Sequence, residues 1–123
     1  MVEVVEISIA DEGSIVRVDG AGSWRLDYLD GHFERLEHML LAIRRARRRV
    51  RVLVDLRQAV VQSAAVAERI QYWTDRLYEA EDRVAIVVAS SLLKSQMRRV
   101  AAITQREFFL SESAGRTWLM AND

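Results

Sequence analysis

The 123-residue chain contains no cysteine and no proline, and glycine occurs only five times. Without cysteine, it has no disulfide, no thiolate metal site and no cysteine nucleophile. The longest apolar run, VAIVVA at residues 84–89, is far shorter than the ~20 residues that a membrane-spanning helix needs. Residues 1–13 carry acids where a signal peptide carries bases. We therefore expect a soluble, cytoplasmic protein with no transmembrane segment.

The chain also has no excess charge of either sign, because 18 basic and 18 acidic residues give a formal net charge of zero. Nothing in this balance attracts a polyanion. The most basic segment, RRARRRVR at residues 44–51, would suit nucleic acid or anionic lipid. Most of its arginines, however, fall on the last turns of a predicted helix, where cations favour the helix dipole. We interpret it as a solvated helix end and expect no nucleic-acid partner.

What is present is the composition of a globular domain, with half of the residues apolar and 29% charged. The length predicts a single domain over residues 1–123. Two-residue periodicity predicts the strands, and the 3.6-residue period predicts the helices. The predicted strands are residues 2–9, 15–19, 50–56, 84–89 and 107–110, with a further short strand at 23–25. The predicted helices run from Asp27 or Asp30 to about residue 49, over 63–80, over 91–105, and onward from Ser111.

Alternation of strands and helices predicts an α/β fold with right-handed crossovers and parallel strands. The leading hairpin makes the predicted sheet mixed, with four to five strands and about four helices packed on it. In the first helix, the apolar residues recur at spacings of four and three and form one inward stripe: Leu29, Phe33, Leu36, Leu40 and Ile43. In the last helix, Ala114 and Trp118 are predicted to share a face.

No catalytic constellation is evident in the sequence. His32 and His38 are splayed around the first helix, and we interpret both as surface or interface histidines. Glu34 and His38 could share a metal ion, but no third ligand accompanies them. Neither a G-x-S-x-G elbow nor a phosphate-binding glycine loop is present. We expect that the protein is not an enzyme and that it binds no cofactor and no metal ion.

Polar residues follow two of the predicted parallel strands. Asp55 closes one strand, and Ser90 and Ser91 follow the next. Ligands of open α/β sheets favour the crevice beyond the carboxyl ends of the strands, so these residues are candidates for the rim of a ligand site. The alternative is that Asp55 caps a turn and one of the serines caps a helix.

The segments VLVDL (52–56), VAIVV (84–88) and FFLSESAGRTWL (108–119), behind a leading hairpin, resemble the SpoIIAA-like proteins. These belong to the STAS group, named for sulfate transporters and anti-sigma-factor antagonists. The family closes with an aromatic strand, a serine or acid cap, an alanine and Trp-Leu. The matching residues here are Phe108, Phe109, Ser111, Ala114, Trp118 and Leu119.

This resemblance implies a non-catalytic regulatory or protein-interaction module. The group is also compared with CRAL-TRIO lipid-exchange domains, so the alternative function is a small domain that binds an apolar ligand or lipid. Met39 and Leu41 flank the inward stripe of the first helix. One sheet face does not require that much apolar surface, so the excess could cover a neighbouring helix, a ligand cavity or a second subunit. We also expect a homodimer.

Ser63 lies where the resemblance places a regulatory serine, at the start of the second helix. In anti-sigma-factor antagonists the phosphorylated serine follows an aspartate and precedes a second hydroxyl residue and a glycine. The neighbours here are Gln62, Ala64 and Ala65. A helix N-terminus favours a phosphate, but the same backbone N–H groups also favour an unmodified capping serine. Ser63 is therefore predicted to be a helix cap, with phosphorylation as the alternative.

Overall fold

The computed structural model describes residues 6–60, 62–91 and 106–121. These residues form one five-stranded sheet in the order β1-β2-β3-β4-β5. The strands are β1 (Glu6–Asp11), β2 (Val16–Gly22), β3 (Arg51–Ala59), β4 (Arg83–Val87) and β5 (Arg106–Phe109). The described helices are α1 (Leu26–Arg45), α2 (Ala64–Leu77) and α3 (Glu112–Met120). The predicted α/β class is confirmed, with three helices described where about four were predicted. The predicted helix over 91–105 lies almost wholly outside the described residues.

The sheet is mixed, as the sequence predicts. β1 pairs antiparallel with β2, and the turn between them uses Gly13 at a φ of 85°, a conformation open to glycine. The pairs β2–β3, β3–β4 and β4–β5 are all parallel. On the outer side of β1, the Ile7 backbone N–H donates to the Tyr28 hydroxyl of α1 at 2.9 Å. The hairpin is thus attached both to the sheet and to a helix.

Helices α1 and α2 cover one face of the sheet. The predicted stripe of α1 is buried in full, from Leu29 to Ile43. It packs on inward residues of the strands that include Val18, Val52 and Val84. Phe33 of α1 stacks on Trp73 of α2 with 5.7 Å between ring centroids. This aromatic pair joins the two helices above the sheet.

The opposite face of the sheet is covered by α3. Gly115 and Leu119 are buried, whereas Ala114 is exposed and Trp118 is half-buried. A Cβ on Gly115 would lie 3.2 Å from Leu53 Cδ1, so the missing side chain is what lets α3 approach β3. The sequence pattern placed Ala114 and Trp118 on one face of this helix but did not predict that Gly115 makes the contact with the sheet.

Two predicted boundaries near the start of α1 are also wrong. Residues 23–25 form no strand, because Trp24 bonds outside the ladder: its backbone N–H donates to the Gln62 side chain at 3.0 Å. Helix α1 begins at Leu26 with Arg25 as its N-cap, and Arg25 makes no side-chain capping bond. Asp27 lies in the first turn, and Asp30 lies within the helix and pairs with Arg69 at 3.0 Å.

The basic segment is mostly solvated, as interpreted from the sequence. Arg45, Arg47 and Arg48 are exposed, and Arg47 takes a positive φ of 56° just beyond α1. Arg44 differs, because it forms an ion pair with the buried Asp82 and donates to the Leu77 carbonyl at 3.0 Å. In the described part of the chain, no helix has the length and apolarity required to cross a membrane.

Two glycines provide a matched test of sheet packing. A Cβ on Gly20 would lie 2.8 Å from Trp24 Cζ2, whereas one on Gly31, inside α1, would meet only the Arg35 guanidinium at 3.5 Å. Gly20→Ala is expected to lower the free energy of unfolding by about 1–3 kcal/mol. Gly31→Ala is expected to raise it by up to about 1 kcal/mol, because alanine favours helix. Urea unfolding measures both, and equal effects of the same sign would contradict this packing.

Candidate functional site

A cavity of about 420 Å³ lies between the sheet and helices α1 and α2. Its walls are mostly aliphatic and aromatic side chains, among them Val18, Leu56, Ile70, Val88 and Phe108. Such a volume and lining are typical of small-molecule sites in proteins. The position of this cavity could not be predicted from the sequence, because its walls have the same residue types as a filled core.

Some polar groups of the cavity wall already form hydrogen bonds within the protein, and others do not. The Gln62 side chain accepts from Trp24 N and donates to the Gly22 and Val60 carbonyls. The Thr74 hydroxyl donates to the Ile70 carbonyl at 2.9 Å. In contrast, two buried nitrogens of the cavity wall have no hydrogen-bond partner among the described residues: His32 Nδ1 and Arg106 Nη2. They are the polar atoms that a molecule in the cavity could engage.

His32 is a buried residue of the cavity wall with only 3% of its surface exposed, so the interpretation of it as a surface or interface histidine is wrong. It packs edge-on against Phe33, with 4.8 Å between ring centroids. Burial, assisted by the nearby Arg35 charge, lowers the pKa of His32 to about 4. A sequence signal existed, because position 32 lies three residues after Leu29 and four before Leu36 of the inward stripe.

Arg106 opens β5 and also lines the cavity. Burial lowers the pKa of its guanidinium, and Tyr78 and Asp75 act on that pKa in the opposite direction. The guanidinium remains charged at neutral pH, because the ordinary arginine pKa exceeds 12. A buried cationic nitrogen without an acceptor is costly to maintain.

Asp55 lies on the other side of the sheet, in a group of charged residues here named the charged cluster: Glu12, Arg17, Asp19, Asp55, Arg57, Glu112 and Arg116. Its carboxylate accepts from Arg57 at 2.7 Å and from Arg17 at 3.3 Å. The hydrogen bond from Arg57 is the main reason that the pKa of Asp55 is lowered. The cluster joins β2, β3 and α3 beyond the apolar contact at Gly115.

The predicted rim residues do not meet at the cavity. β3 continues past Asp55 to Ala59, because Gln58 and Ala59 still pair with β2 after a register shift. Ser90 and Ser91 are exposed beyond β4, and neither they nor Asp55 is part of the cavity wall. A ligand-rim role for these three residues stays a prediction.

Ser63 is the N-cap of α2, and its hydroxyl accepts from the Val66 backbone N–H at 3.2 Å. This is the capping geometry predicted from the sequence. The serine is exposed, and so are Ala64 and Ala65 beside it. Phosphorylation of Ser63 stays a prediction.

The geometry does not assemble the groups that hydrolytic chemistry would need from the predicted residues. Asp55 and His32 lie on opposite faces of the sheet, and His38 is exposed on α1. Within residues 6–60, 62–91 and 106–121, no group of three or more potential ligand residues could hold a metal ion.

The cap makes a prediction about stability. Ser63→Ala removes the acceptor for the Val66 N–H and is expected to lower the free energy of unfolding by about 1 kcal/mol. Ser63→Asp keeps an acceptor and places an acid at the helix N-terminus, so it should stay close to the wild type. Ser111→Ala, which removes the corresponding cap of α3, is the matched comparison. Chemical denaturation measures all three, and equal stabilities of the alanine and aspartate variants at position 63 would refute the capping role.

His32 makes stability depend on pH. Its pKa is about 6.5 in the unfolded chain and about 4 in the folded one, so in acid the unfolded chain binds a proton that the folded chain excludes. The contribution of His32 is fully present above pH 6.5 and is lost as pH falls towards 4, by up to about 3 kcal/mol.

The measurement compares the wild type with His32→Gln from pH 7.5 to 4. The stability advantage of the wild type should shrink with acid, whereas the exposed control His38→Gln should follow the wild type throughout. Carboxylates titrate alike in all three proteins, so a constant difference between the wild type and His32→Gln would contradict a neutral buried His32.

Two solved structures resemble the chain over nearly its whole length. One is an uncharacterized DUF3478-family protein with a SpoIIAA-like fold from Shewanella loihica PV-4, at 17% identity and a TM-score of 0.71, covering 97% of this chain and 96% of that one. The other is an anti-sigma factor antagonist from Mycobacterium paratuberculosis, at 10% identity and a TM-score of 0.65, covering 96% of each chain. No protein-family model and no curated protein matches the chain. The chain therefore has the SpoIIAA-like fold that its sequence motifs predicted.

Proposed function

We propose that this protein is a non-catalytic regulatory module that acts by binding another protein, as anti-sigma-factor antagonist domains do. The observation that carries the proposal is the shared fold with a solved anti-sigma factor antagonist, over 96% of both chains. Fold alone does not assign function, so the surface that would bind the partner must be argued from this chain. Neither solved neighbour favours the CRAL-TRIO-like alternative.

The strongest candidate for that surface is here named the Ser63 surface, and it consists of Val60, Ser63, Ala64, Ala65 and Glu68. All five residues are exposed, and Val60 has 56% of its surface exposed. Apart from Glu68 the surface is small and weakly polar, so a partner could approach the backbone closely without displacing long side chains. Its exposed apolar atoms would be buried by association.

Hydrogen bonds of Gln62 and Ser63 also fix the conformation of the Ser63 surface. Gln62 donates to the Gly22 carbonyl at 3.0 Å and the Val60 carbonyl at 2.7 Å, and it accepts from Trp24 N. The serine cap then fixes the first turn of α2. A surface ordered before binding loses less conformational entropy when the partner docks.

Phosphorylation of Ser63 is part of the proposal. A phosphate would add about −1.5 to −2 charges to this weakly polar surface, which would oppose an apolar contact. The exposed hydroxyl and the helix N-terminus support the position. The family motif does not, because Gln62, Ala64 and Ala65 replace its acid, second hydroxyl residue and glycine. Mass spectrometry of protein from its native cells tests the modification directly.

The absence of catalysis is likewise a proposal. Asp55 is held by two arginines and its pKa is lowered, so it is a weak proton acceptor. His32 is on the other face of the sheet and inside the core. These two features support a binding module over an enzyme.

A homodimer and a cytoplasmic location complete the proposal. Leu41 on α1 is 39% exposed beside the partly buried Met39, which supports a further apolar contact at this helix. Sedimentation at micromolar concentration tests the dimer, and cell fractionation tests the location.

If the Ser63 surface binds the partner, a charge introduced within it should weaken that binding. Ala65→Glu places a charge within the surface while its position in the first turn of α2 suits an acid. Ala42→Glu adds the same group to an exposed position of α1 and is the matched control. The partner is first captured from a lysate of the native cells on immobilised wild-type protein and then purified.

Titration calorimetry against the purified partner should show at least tenfold weaker binding for Ala65→Glu, which is a loss of ~1.4 kcal/mol or more. Ala42→Glu should bind like the wild type. Equal affinities of the two variants would move the interface elsewhere. Failure to capture any protein reproducibly would contradict the interaction module itself.

A further inference from the structure

We propose that the cavity beneath α1 and α2 binds a small apolar monocarboxylate, with the carboxylate paired to Arg106 and the hydrocarbon part against the sheet. The proposal does not rest on the protein-interaction role, although the two sites adjoin, because Val60 belongs to the Ser63 surface and also lines the cavity. It rests on three observations: an apolar volume, a buried nitrogen of the half-buried Arg106 guanidinium that has no acceptor among the described residues, and a second buried nitrogen without a partner there.

The first observation is that the volume and the apolar lining of the cavity both fit a hydrocarbon chain. At the ~30 Å³ that a water molecule occupies in the liquid, a cavity of about 420 Å³ holds about a dozen non-hydrogen atoms. The aliphatic walls would leave water molecules there with few hydrogen-bond partners. A hydrocarbon chain of medium length fills the same space with favourable apolar contact.

The second observation sets the charge of the ligand. Arg106 Nη2 is buried without an acceptor among the described residues. Asp75 and Tyr78 influence the guanidinium electrostatically, yet neither accepts a hydrogen bond from Nη2. A guanidinium presents planar donors that fit a carboxylate, so a carboxylate would satisfy the orphan nitrogen and neutralise a desolvated charge together. A neutral alcohol would supply an acceptor without the charge.

The third observation is His32, whose Nδ1 also has no partner among the described residues. The residue is 3% exposed, and its lowered pKa keeps the imidazole neutral at neutral pH. A second cation is thus absent from this part of the wall, and a dicarboxylate would have one charge unpaired. This favours a ligand with a single acidic group.

The experiment uses the whole purified chain with decanoate as the probe and 1-decanol as its neutral analogue. Titration calorimetry at pH 7.5 should show one decanoate site and at least tenfold weaker binding of 1-decanol. Arg106→Gln should reduce the affinity for decanoate to that for 1-decanol and leave 1-decanol binding unchanged. The exposed Arg45→Gln is the matched control and should bind decanoate like the wild type.

A cavity-filling variant locates the site. Val54→Phe adds bulk to the wall and should weaken both probes, with circular dichroism verifying the fold of each variant. Methyl chemical shifts of the wild-type protein provide a readout that needs no variant, since decanoate should perturb Val18 and Val88 within the cavity. No decanoate binding up to millimolar concentration, equal binding by Arg106→Gln, or shifts confined to surface methyl groups would each overturn the proposal.

Discussion

The parallel strands β3 and β4 must be covered on both faces, and this constraint organises the rest of the molecule. Val52 faces α1 and α2, whereas Leu53, Ala85 and Val87 face α3, and none of the four has exposed surface. The crossovers from β2 to β3 and from β3 to β4 carry α1 and α2, and both helices pack on one face of the sheet. The second face depends on α3, which comes close enough only because residue 115 is glycine.

The two covered faces are used differently, and the difference shapes both functional proposals. Under α3, a small apolar contact at Leu53 and Leu119 continues into the charged cluster, where Asp55 is engaged by arginines on both sides. Under α1 and α2, larger side chains span the gap incompletely and leave a cavity that contains unpaired nitrogens. The charged cluster thus occupies one face, whereas the unpaired nitrogens available to a ligand lie on the other. The surface proposed for a protein partner lies where β3 leads into α2 and adjoins the cavity at Val60.

Sequence periodicity predicted the features that depend on residue spacing. It failed where a single tertiary contact determines the local structure. The inward stripe of α1 and the cap at Ser63 were predicted because spacing and local hydrogen bonding specify them. The contact of α3 with the sheet at Gly115 was not predicted, since the close approach of β3 depends on the tertiary structure. Asp55 was placed at a strand end, but pairing with β2 extends β3 beyond it. The surplus apolar surface of α1 allowed for a ligand cavity, but its volume and walls could not be predicted, because the size of a void depends on how far the helices stand from the sheet.

One consequence follows from the bond between Ile7 and Tyr28. β1 borders the sheet, and its outward amide groups are the kind of template on which another polypeptide could add as an extra strand. The Tyr28 hydroxyl already occupies one of these amides, so an incoming strand would have to displace a phenol anchored in α1. Tyr28→Phe removes only the hydroxyl group. It would leave the Ile7 N–H of this edge strand free for unwanted self-association, while the hydrophobic core keeps all of its side chains.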